Sequence, residues 1–371
     1  MSREIRIAYL AHSIRSDWNN GNAHFLRGLL RAVQTAGSEV AIFEPKHGWS
    51  IENLRQEPNG EKSIRCFSQI YPDLHISSYE EAEITDAQFW RNALRDIDVV
   101  ILHEWNPPAL AHTLLKLRNE LGFKLLLHDT HHRASSSPEQ IHGFGTDQFD
   151  GVLAFGEALR SVYRDKLGIN RVWTLHEAAD TSVFRPLPQH SKACDVIWIG
   201  NWGDDERSRE ICEFLLSPAA SLPDRRFVIH GVRFPDDALN ALRDAHVAYA
   251  GYLPNLDAPA AYAASSITVH IPRQQYTKAM MGIPTIRVFE ALACGIPLIS
   301  APWNDTEQLF REGDLLFVEN SKQMTEALEF MLSDPSAARA QALRGLETIL
   351  SRHTCRHRAE QFLEICEEVV H

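Results

Sequence analysis

The sequence predicts an α/β protein made of two doubly wound units. Three observations carry that expectation. Short β-branched and apolar runs alternate with amphipathic helical stretches, the pattern of strand–helix–strand crossovers in parallel sheets. The alternation stops at Pro186–Pro188 and then begins again. The length, 371 residues, suits about two domains. A chain of this size buries about three-quarters of its unfolded surface without covalent staples.

Ile5–Ala11 reads as a buried first strand, and a polar loop follows it up to Asn22. Ala23–Ala36 places Phe25, Leu26, Leu29, Leu30 and Val33 at helical spacing. Gly37 suits the end of that helix. Val40–Phe43 reads as a second strand, whereas residues 46–90 are polar, irregular and weakly patterned. Asp98–His103, Phe123–His128 and Gly151–Phe155 read as buried strands, with a helix over Ala109–Leu121 that stops at Gly122. After the prolines, Asp195–Ile199, Arg226–His230, Ile267–Ile271 and Pro297–Ser300 read as strands. Helical stretches lie between and after them, including Arg287–Cys294 and Ser321–Leu332. The expected domains are therefore 1–186 and 187–355. A last helix, about 356–371, carries Phe362, Ile365 and Cys366 on one face and is expected to pack back on the first domain. Two such domains on a proline hinge imply a cleft between them, a usual place for ligands.

Acidic residues outnumber basic ones by 49 to 37, a formal charge of −12. That balance argues against general binding to nucleic acid or to a membrane surface, although a local basic patch stays open. The six cysteines, Cys66, Cys194, Cys212, Cys294, Cys355 and Cys366, are dispersed and form no CxxC pair. Free thiols in a reducing compartment fit them best. The start carries charges too early for a signal peptide, and no apolar stretch reaches the roughly 18 residues of a membrane span. The expectation is a soluble, cytoplasmic protein.

The most informative stretch is Gly282–Pro297, GIPTIRVFEALACGIP. A loop holding Pro284 enters a helix near Thr285–Ile286. The free N–H groups of a helix start, aided by the dipole, can hold a phosphate. Arg287 and Glu290 are three residues apart and share a face. The arginine can neutralise a diphosphate while the carboxylate accepts two ribose hydroxyls. A plain surface ion pair explains the same spacing.

RVFEALACGIPLIS resembles the donor-binding helix of GT-B glycosyltransferases, above all retaining enzymes like those of family four. The run TEQLFREGDLLFVENSKQMTEALEFMLSDP and then RHTCRHRAEQFL resemble the CgeB-like, spore-maturation branch. GYLPN at 251–255, YAASSITVHIPR at 262–273 and HEAADTSVFRP at 176–186 are similar to it as well. The likeness covers the C-terminal half well and the N-terminal half in rhythm only. It implies a GT-B fold, two Rossmann-like domains facing a cleft. It also implies that Glu290 grips the ribose, that the Thr285 and Ile286 amides meet the diphosphate, and that Arg287 neutralises it. Many family-four enzymes carry a second glutamate eight residues earlier, on the transferred sugar. Here that position is Gly282, so contacts to the sugar do not carry over.

Further candidates surround this helix. The loop Gly200–Arg209 follows a strand's carboxyl end, where doubly wound sheets bind ligands. Arg207 is the first choice there for the diphosphate and Arg209 the second, with Asn201 and Tyr252 as nucleotide-sugar contacts. Arg273 closes the strand in VHIPR. His128 opens the cluster HDTHH at 128–132. The resemblance implies that it faces the transferred sugar; metal binding and a purely structural histidine are the other readings, and the cluster lacks a ligand spacing such as HExxH. Arg15, Asp17 and Asn19 lie after the first strand, where related enzymes begin their acceptor site. Asp96–Asp98 is a DxD, but it precedes a strand instead of ending one and reads as a corner.

Together these readings predict a metal-independent, retaining glycosyltransferase needing no cofactor beyond a nucleoside-diphosphate sugar as co-substrate. The acceptor stays open among a glycan, a lipid-linked glycan, a protein, a small molecule and a modified base. A sugar-nucleotide epimerase or isomerase of the same fold, and a non-catalytic sugar-nucleotide binder, are the alternatives.

Overall fold

A computed structural model describes residues 5–188, 191–203 and 205–371. The chain divides into two compact units, Met1–Glu177 with Cys355–His371, and Ala178–Thr354. The division falls upstream of the proline-marked linker.

The first unit holds seven strands: β1 (Ile7–Leu10), β2 (Val40–Pro45), β3 (Ile76–Tyr79), β4 (Val99–His103), β5 (Lys124–Asp129), β6 (Gly151–Ala154) and β7 (Val172–Thr174). They form one parallel sheet in the order β3-β2-β1-β4-β5-β6-β7. β1 and β4 are buried along their whole length, as central parallel strands covered on both faces must be. The helix Ala23–Thr35 crosses from β1 to β2 and buries Phe25, Leu26, Leu29, Leu30 and Val33. The last helix, Cys355–Val370, packs on it and buries Phe362, Ile365 and Cys366. Arg358 Nε donates to the His176 carbonyl at 3.0 Å, and Gln361 Nε2 to that of Thr174 at 3.1 Å. These bonds fasten the C-terminal helix beside β7, which closes the sheet. The weakly patterned stretch 46–90 contains the helices Trp49–Gln56, Gly60–Ile70 and Ala87–Ala93, besides β3.

The second unit holds β8 (Cys194–Ile199), β9 (Phe227–His230), β10 (Val247–Tyr249), β11 (Ser265–His270), β12 (Leu298–Ser300) and β13 (Leu316–Phe317). These too form a parallel sheet, ordered β10-β9-β8-β11-β12-β13. Its core gathers Val196, Trp198, Ile229, Ile267, Val269 and Ile299 from the strands with Leu215, Leu242 and Leu328 from the helices. In both units the strand order reverses at the middle, between β1 and β4 and between β8 and β11. The carboxyl ends of those pairs form the crevice where a doubly wound sheet takes ligands. Among the described residues, no helix is long and apolar enough to cross a membrane.

Candidate functional site

In the second unit, the helix Ile286–Ala293 starts close to the carboxyl end of β11. Thr285 stands at its N-cap in extended backbone, but its side chain does not cap the helix. The hydroxyl instead meets His270 Nε2 at 3.1 Å, while His270 Nδ1 meets Ser300 Oγ at 2.8 Å. His270 thus ties the ends of β11 and β12 to the helix start. Burial, followed by the Arg207 charge, pushes its pKa down to about 3, so the ring is neutral and cannot compete with arginine for an anion. Ile286 is buried at the first helical position.

One turn along, Arg287 Nη1 donates to Glu290 Oε2. Asn255 Nδ2 donates to the other oxygen, Oε1, at 2.7 Å. Glu290 is 0% exposed, whereas the Arg287 side chain is 29% exposed. Tyr262 and Cys294 sense the carboxylate, since burial and then its charge raise both of their pKa values. A buried acid with both oxygens occupied is a built feature and not a surface ion pair.

The loop after β8 completes the group. Gly203 has φ +77, a left-handed conformation that favours glycine. A Cβ there would lie 2.9 Å from Arg207 Cβ and from Arg273 Nη2, so both arginines close over this glycine. Arg207 Nη1 donates to the Ile271 carbonyl, and its guanidinium lies 5.2 Å from the centre of the Trp198 ring. Asn201 Oδ1 accepts from the Val232 amide at 2.9 Å, joining the loops after β8 and β9. Asp204, within this loop, lies outside the described residues. Tyr252 is half-buried just ahead of the turn that carries Asn255. Arg207, Arg273, Thr285, Ile286, Arg287 and Glu290 therefore gather at one end of one sheet.

Gly282 has φ +106, and a Cβ there would come within 2.1 Å of Thr306 Oγ1. The backbone itself disfavours a glutamate at that position. Nearby, the buried Trp303 packs edge-on to His270, and its Nε1–H finds no acceptor among the described residues.

In the first unit, His128 is the next-to-last residue of β5 and is fully buried. Its Nδ1 meets the Tyr9 hydroxyl at 2.6 Å, and its Nε2 has no partner among the described residues. Burial lowers its pKa to about 3. His103 Nε2 lies 3.1 Å from both Thr130 Oγ1 and Glu104 Oε2, and its Nδ1 lies 3.3 Å from His12 Nδ1. Asp129 accepts from the Tyr163 hydroxyl at 2.6 Å and from the His131 amide at 2.9 Å. Burial raises its pKa to about 6, and burial with the nearby Asp129 holds Glu104 well above the usual range. Among the described residues, no three His, Cys, Asp or Glu side chains converge as a metal site.

The loop after β1 is differently engaged. Arg15 Nε donates to Glu44, whose carboxylate also takes the Ile14 amide at 2.6 Å. Asp17 pairs with Arg27 at 3.1 Å, and Arg27 is 0% exposed. Asn19 has φ +49 at an exposed turn. Arg15 and Asp17 thus hold the loop in shape, and neither is presented as an open acceptor contact. Asp96 and Asp98 lie ahead of β4, where Arg6 pairs with both and its amide donates to Asp98 at 2.9 Å. This end of the sheet is opposite the strand carboxyl ends.

His270 and Asn255 were not marked by the sequence. Each sits inside a stretch with an evident signal, VHIPR and GYLPN. The only local cue is a polar residue in an apolar run.

Residues 207–364 match the family model described as glycosyl transferase-like. No curated protein matches the chain. Among solved structures, a glycosyltransferase from Rickettsia africae ESF-5 is similar over 99% of both chains, at 12% identity and a TM-score of 0.68. The chain has the GT-B fold. Sucrose-phosphate synthase from Thermosynechococcus elongatus also covers 99% of both chains, at 15% identity and a TM-score of 0.66. Anabaena Alr3699/HepE, solved with UDP and glucose, covers 98% of this chain and 100% of its own, at 12% identity and a TM-score of 0.67. At such identities the likeness is one of fold.

Proposed function

We propose that this chain is a glycosyltransferase that takes its sugar from a nucleoside-diphosphate sugar. The second unit holds the donor and the first unit meets the acceptor. The observation that carries this reading is the Arg287–Glu290 pair on the helix Ile286–Ala293 with Asn255 bonded to it, inside the stretch that matches the family model. The UDP-bound Anabaena relative makes UDP the first nucleotide to test.

Each residue has a part in this chemistry. Glu290 accepts from the ribose. The diphosphate lies at the helix start, where the Thr285 and Ile286 amides and the dipole favour an anion. Arg287 leaves Glu290 and neutralises the diphosphate, with Arg207 and Arg273 beside it. As the glycosidic bond breaks, the sugar takes on oxocarbenium character and negative charge gathers on the departing diphosphate. Arginines aimed there stabilise the transition state more than the bound donor. The acceptor oxygen then bonds to the anomeric carbon on the face the diphosphate leaves, with retention, and its proton passes to the diphosphate. These cations neutralise the charge, so the reaction proceeds without a metal. His128, whose buried Nε2 has no partner among the described residues, serves the transferred sugar. Six free cysteines fit a reducing cytoplasm.

Incubation with UDP-, GDP- and ADP-linked sugars in EDTA tests this. The expected result is slow hydrolysis of one donor, releasing the nucleoside diphosphate and, by NMR, a sugar of unchanged anomeric configuration at first formation. Conversion of the sugar nucleotide without that release would mark an epimerase. Tight binding with no turnover would mark a scaffold. Turnover only after manganese or magnesium is added would overturn metal independence.

A further inference from the structure

We propose that Asn255 is a specificity-determining residue: it aims Glu290 and itself takes one hydroxyl of the ribose, so that the two side chains read a cis-diol together. The inference rests on the nucleotide reading of Glu290 given above. It starts from an asymmetry. Of the two groups on the carboxylate, Asn255 is 5% exposed and the Arg287 side chain 29%. The buried amide stays, and the more exposed arginine can swing away. Ligand binding thus frees Oε2 while Oε1 remains held at 2.7 Å.

Chemistry fixes the orientation of the amide. Turned over, it would set its carbonyl oxygen against a carboxylate oxygen, two acceptors with no proton between them. Nδ2 therefore faces Glu290 and Oδ1 faces away. That Oδ1 is buried, and no donor among the described residues reaches it. A buried carbonyl without a donor is costly and rare, and a functional partner is one of the few explanations. A hydroxyl adjacent to the one on Glu290 supplies that donor. Nor is Asn255 spent as a local cap, because Oδ1, the atom a cap would use, accepts from no amide among the described residues. The vicinal diol of a ribonucleotide offers two donors at the required spacing, and a 2′-deoxy or 3′-deoxy nucleotide offers one.

The experiment uses the full chain and measures calorimetric Kd values for UDP, GDP, ADP and CDP. The tightest of these is then compared with its 2′-deoxy and 3′-deoxy forms. Wild type is expected to prefer the ribonucleotide by about ten- to a hundredfold, the worth of a charge-assisted hydrogen bond. Asn255→Ala is expected to bring the ratio close to one for one of the two deoxy forms, the one that lacks the hydroxyl on Asn255, and to leave the other discriminated by Glu290. Asn255→Leu, which nearly keeps the size but removes both the donor to Glu290 and the acceptor for the hydroxyl, should do the same and serves if the alanine variant does not fold. A folded Asn255 variant with the wild-type ratio overturns the inference, as does a wild type that binds ribo and deoxy forms equally. Glu290→Gln separates the two levels. If it leaves affinity unchanged, the reading of Glu290 fails and this inference with it; if it weakens binding while the Asn255 variants keep the ratio, only the present inference fails.

Discussion

Replacing Arg287 by alanine separates two effects, one on the fold and one on the chemistry. In the free protein the guanidinium offsets a carboxylate that is 0% exposed. Removing one partner of a fully buried pair costs about 3–5 kcal/mol, because the other charge is left uncompensated. Two features reduce that figure here. The arginine is partly in water, and Asn255 still holds one oxygen at 2.7 Å. A loss of about 1–3 kcal/mol follows, or about 2–4 °C in Tm for each kcal/mol in a unit of this size. The loss comes from the orphaned charge, so adding Glu290→Gln to Arg287→Ala should recover part of it. The same variant should also lower kcat for donor hydrolysis by about 10²–10³, the worth of one preorganised donor on a departing oxyanion. Affinity for the donor should fall less, because the arginine matters most as charge builds. Differential scanning calorimetry of the single and double variants, with kcat and Kd measured side by side, gives both quantities. An unchanged Tm for Arg287→Ala, with no relief from Glu290→Gln, refutes the structural argument. A proportionate loss of Kd and kcat/KM, with kcat preserved, refutes the chemical one.

Three further outcomes follow from the same geometry. Gly282→Ala should cost about 1–2 kcal/mol in thermal stability, the strain of a left-handed residue; the exposed Thr306 hydroxyl can rotate aside, so adding Thr306→Ala should restore little, and full restoration would contradict this. Stability should fall as pH drops below about 6.5, because His12, His128 and His270, with folded pKa values near 3, and His103, also lowered, stay neutral when folded while their unfolded counterparts bind protons. Asp129 and Glu104, raised by burial, act in the opposite sense from about pH 4 upward, but they are outnumbered by these four histidines together with His230 and His357, which burial lowers as well; urea midpoints that are flat from pH 7 to pH 5 would refute the histidine argument. His128→Ala should impair donor turnover yet leave UDP affinity nearly unchanged, and normal turnover would make the residue purely structural.

The legible parts of the fold are those where apolar density is local. β1, β2, β4, β5, β6, β8, β9, β11 and β12 announce themselves, β1 and β4 most plainly because central parallel strands covered on both faces are buried along their length. The missed strands are short and partly exposed. β3 buries fully only Tyr79 of its four residues, and β10 only Val247 of its three. The helix Gly60–Ile70 buries Gly60, Ser63 and Phe67 at helical spacing, but only Phe67 of these is a large apolar side chain, which leaves little apolar density to read. The site divides in the same way. Arg287 and Glu290 are one helical turn apart, so their pairing is visible in the sequence. His270 works through Thr285 and Ser300, and Asn255 through Glu290, all distant in sequence. Arg15 and Asp17 look like open polar loop residues because nothing local reveals Glu44 beneath one or the buried Arg27 beside the other.

The two units share a winding pattern but present different electrostatics at their strand ends, and this difference bears on which substrate each can take. In the second unit the cations are Arg207, Arg273 and Arg287, the last partly exposed and paired with Glu290, and His270 is held neutral so that it does not compete. That arrangement attracts an anion and can follow its charge as it grows. In the first unit His103, Glu104, His128 and Asp129 are buried and His12 is half-buried. His12 and His128 are neutral near pH 7, with folded pKa values of about 3, and the acids Glu104 and Asp129 are both pushed upward. A diphosphate would find acidic groups there and little to offset its charge beyond Arg133, whose guanidinium is already engaged by the Glu104 carbonyl and the Trp105 ring. A neutral, hydroxyl-bearing molecule would instead meet uncharged donors and acceptors at low desolvation cost. Neutral imidazoles and hydroxyls can orient such a ligand and accept its proton transiently, while arginines are needed where a phosphate departs. That contrast in charge supports the proposal that the nucleotide binds in Ala178–Thr354 and the hydroxyl partner in the other unit.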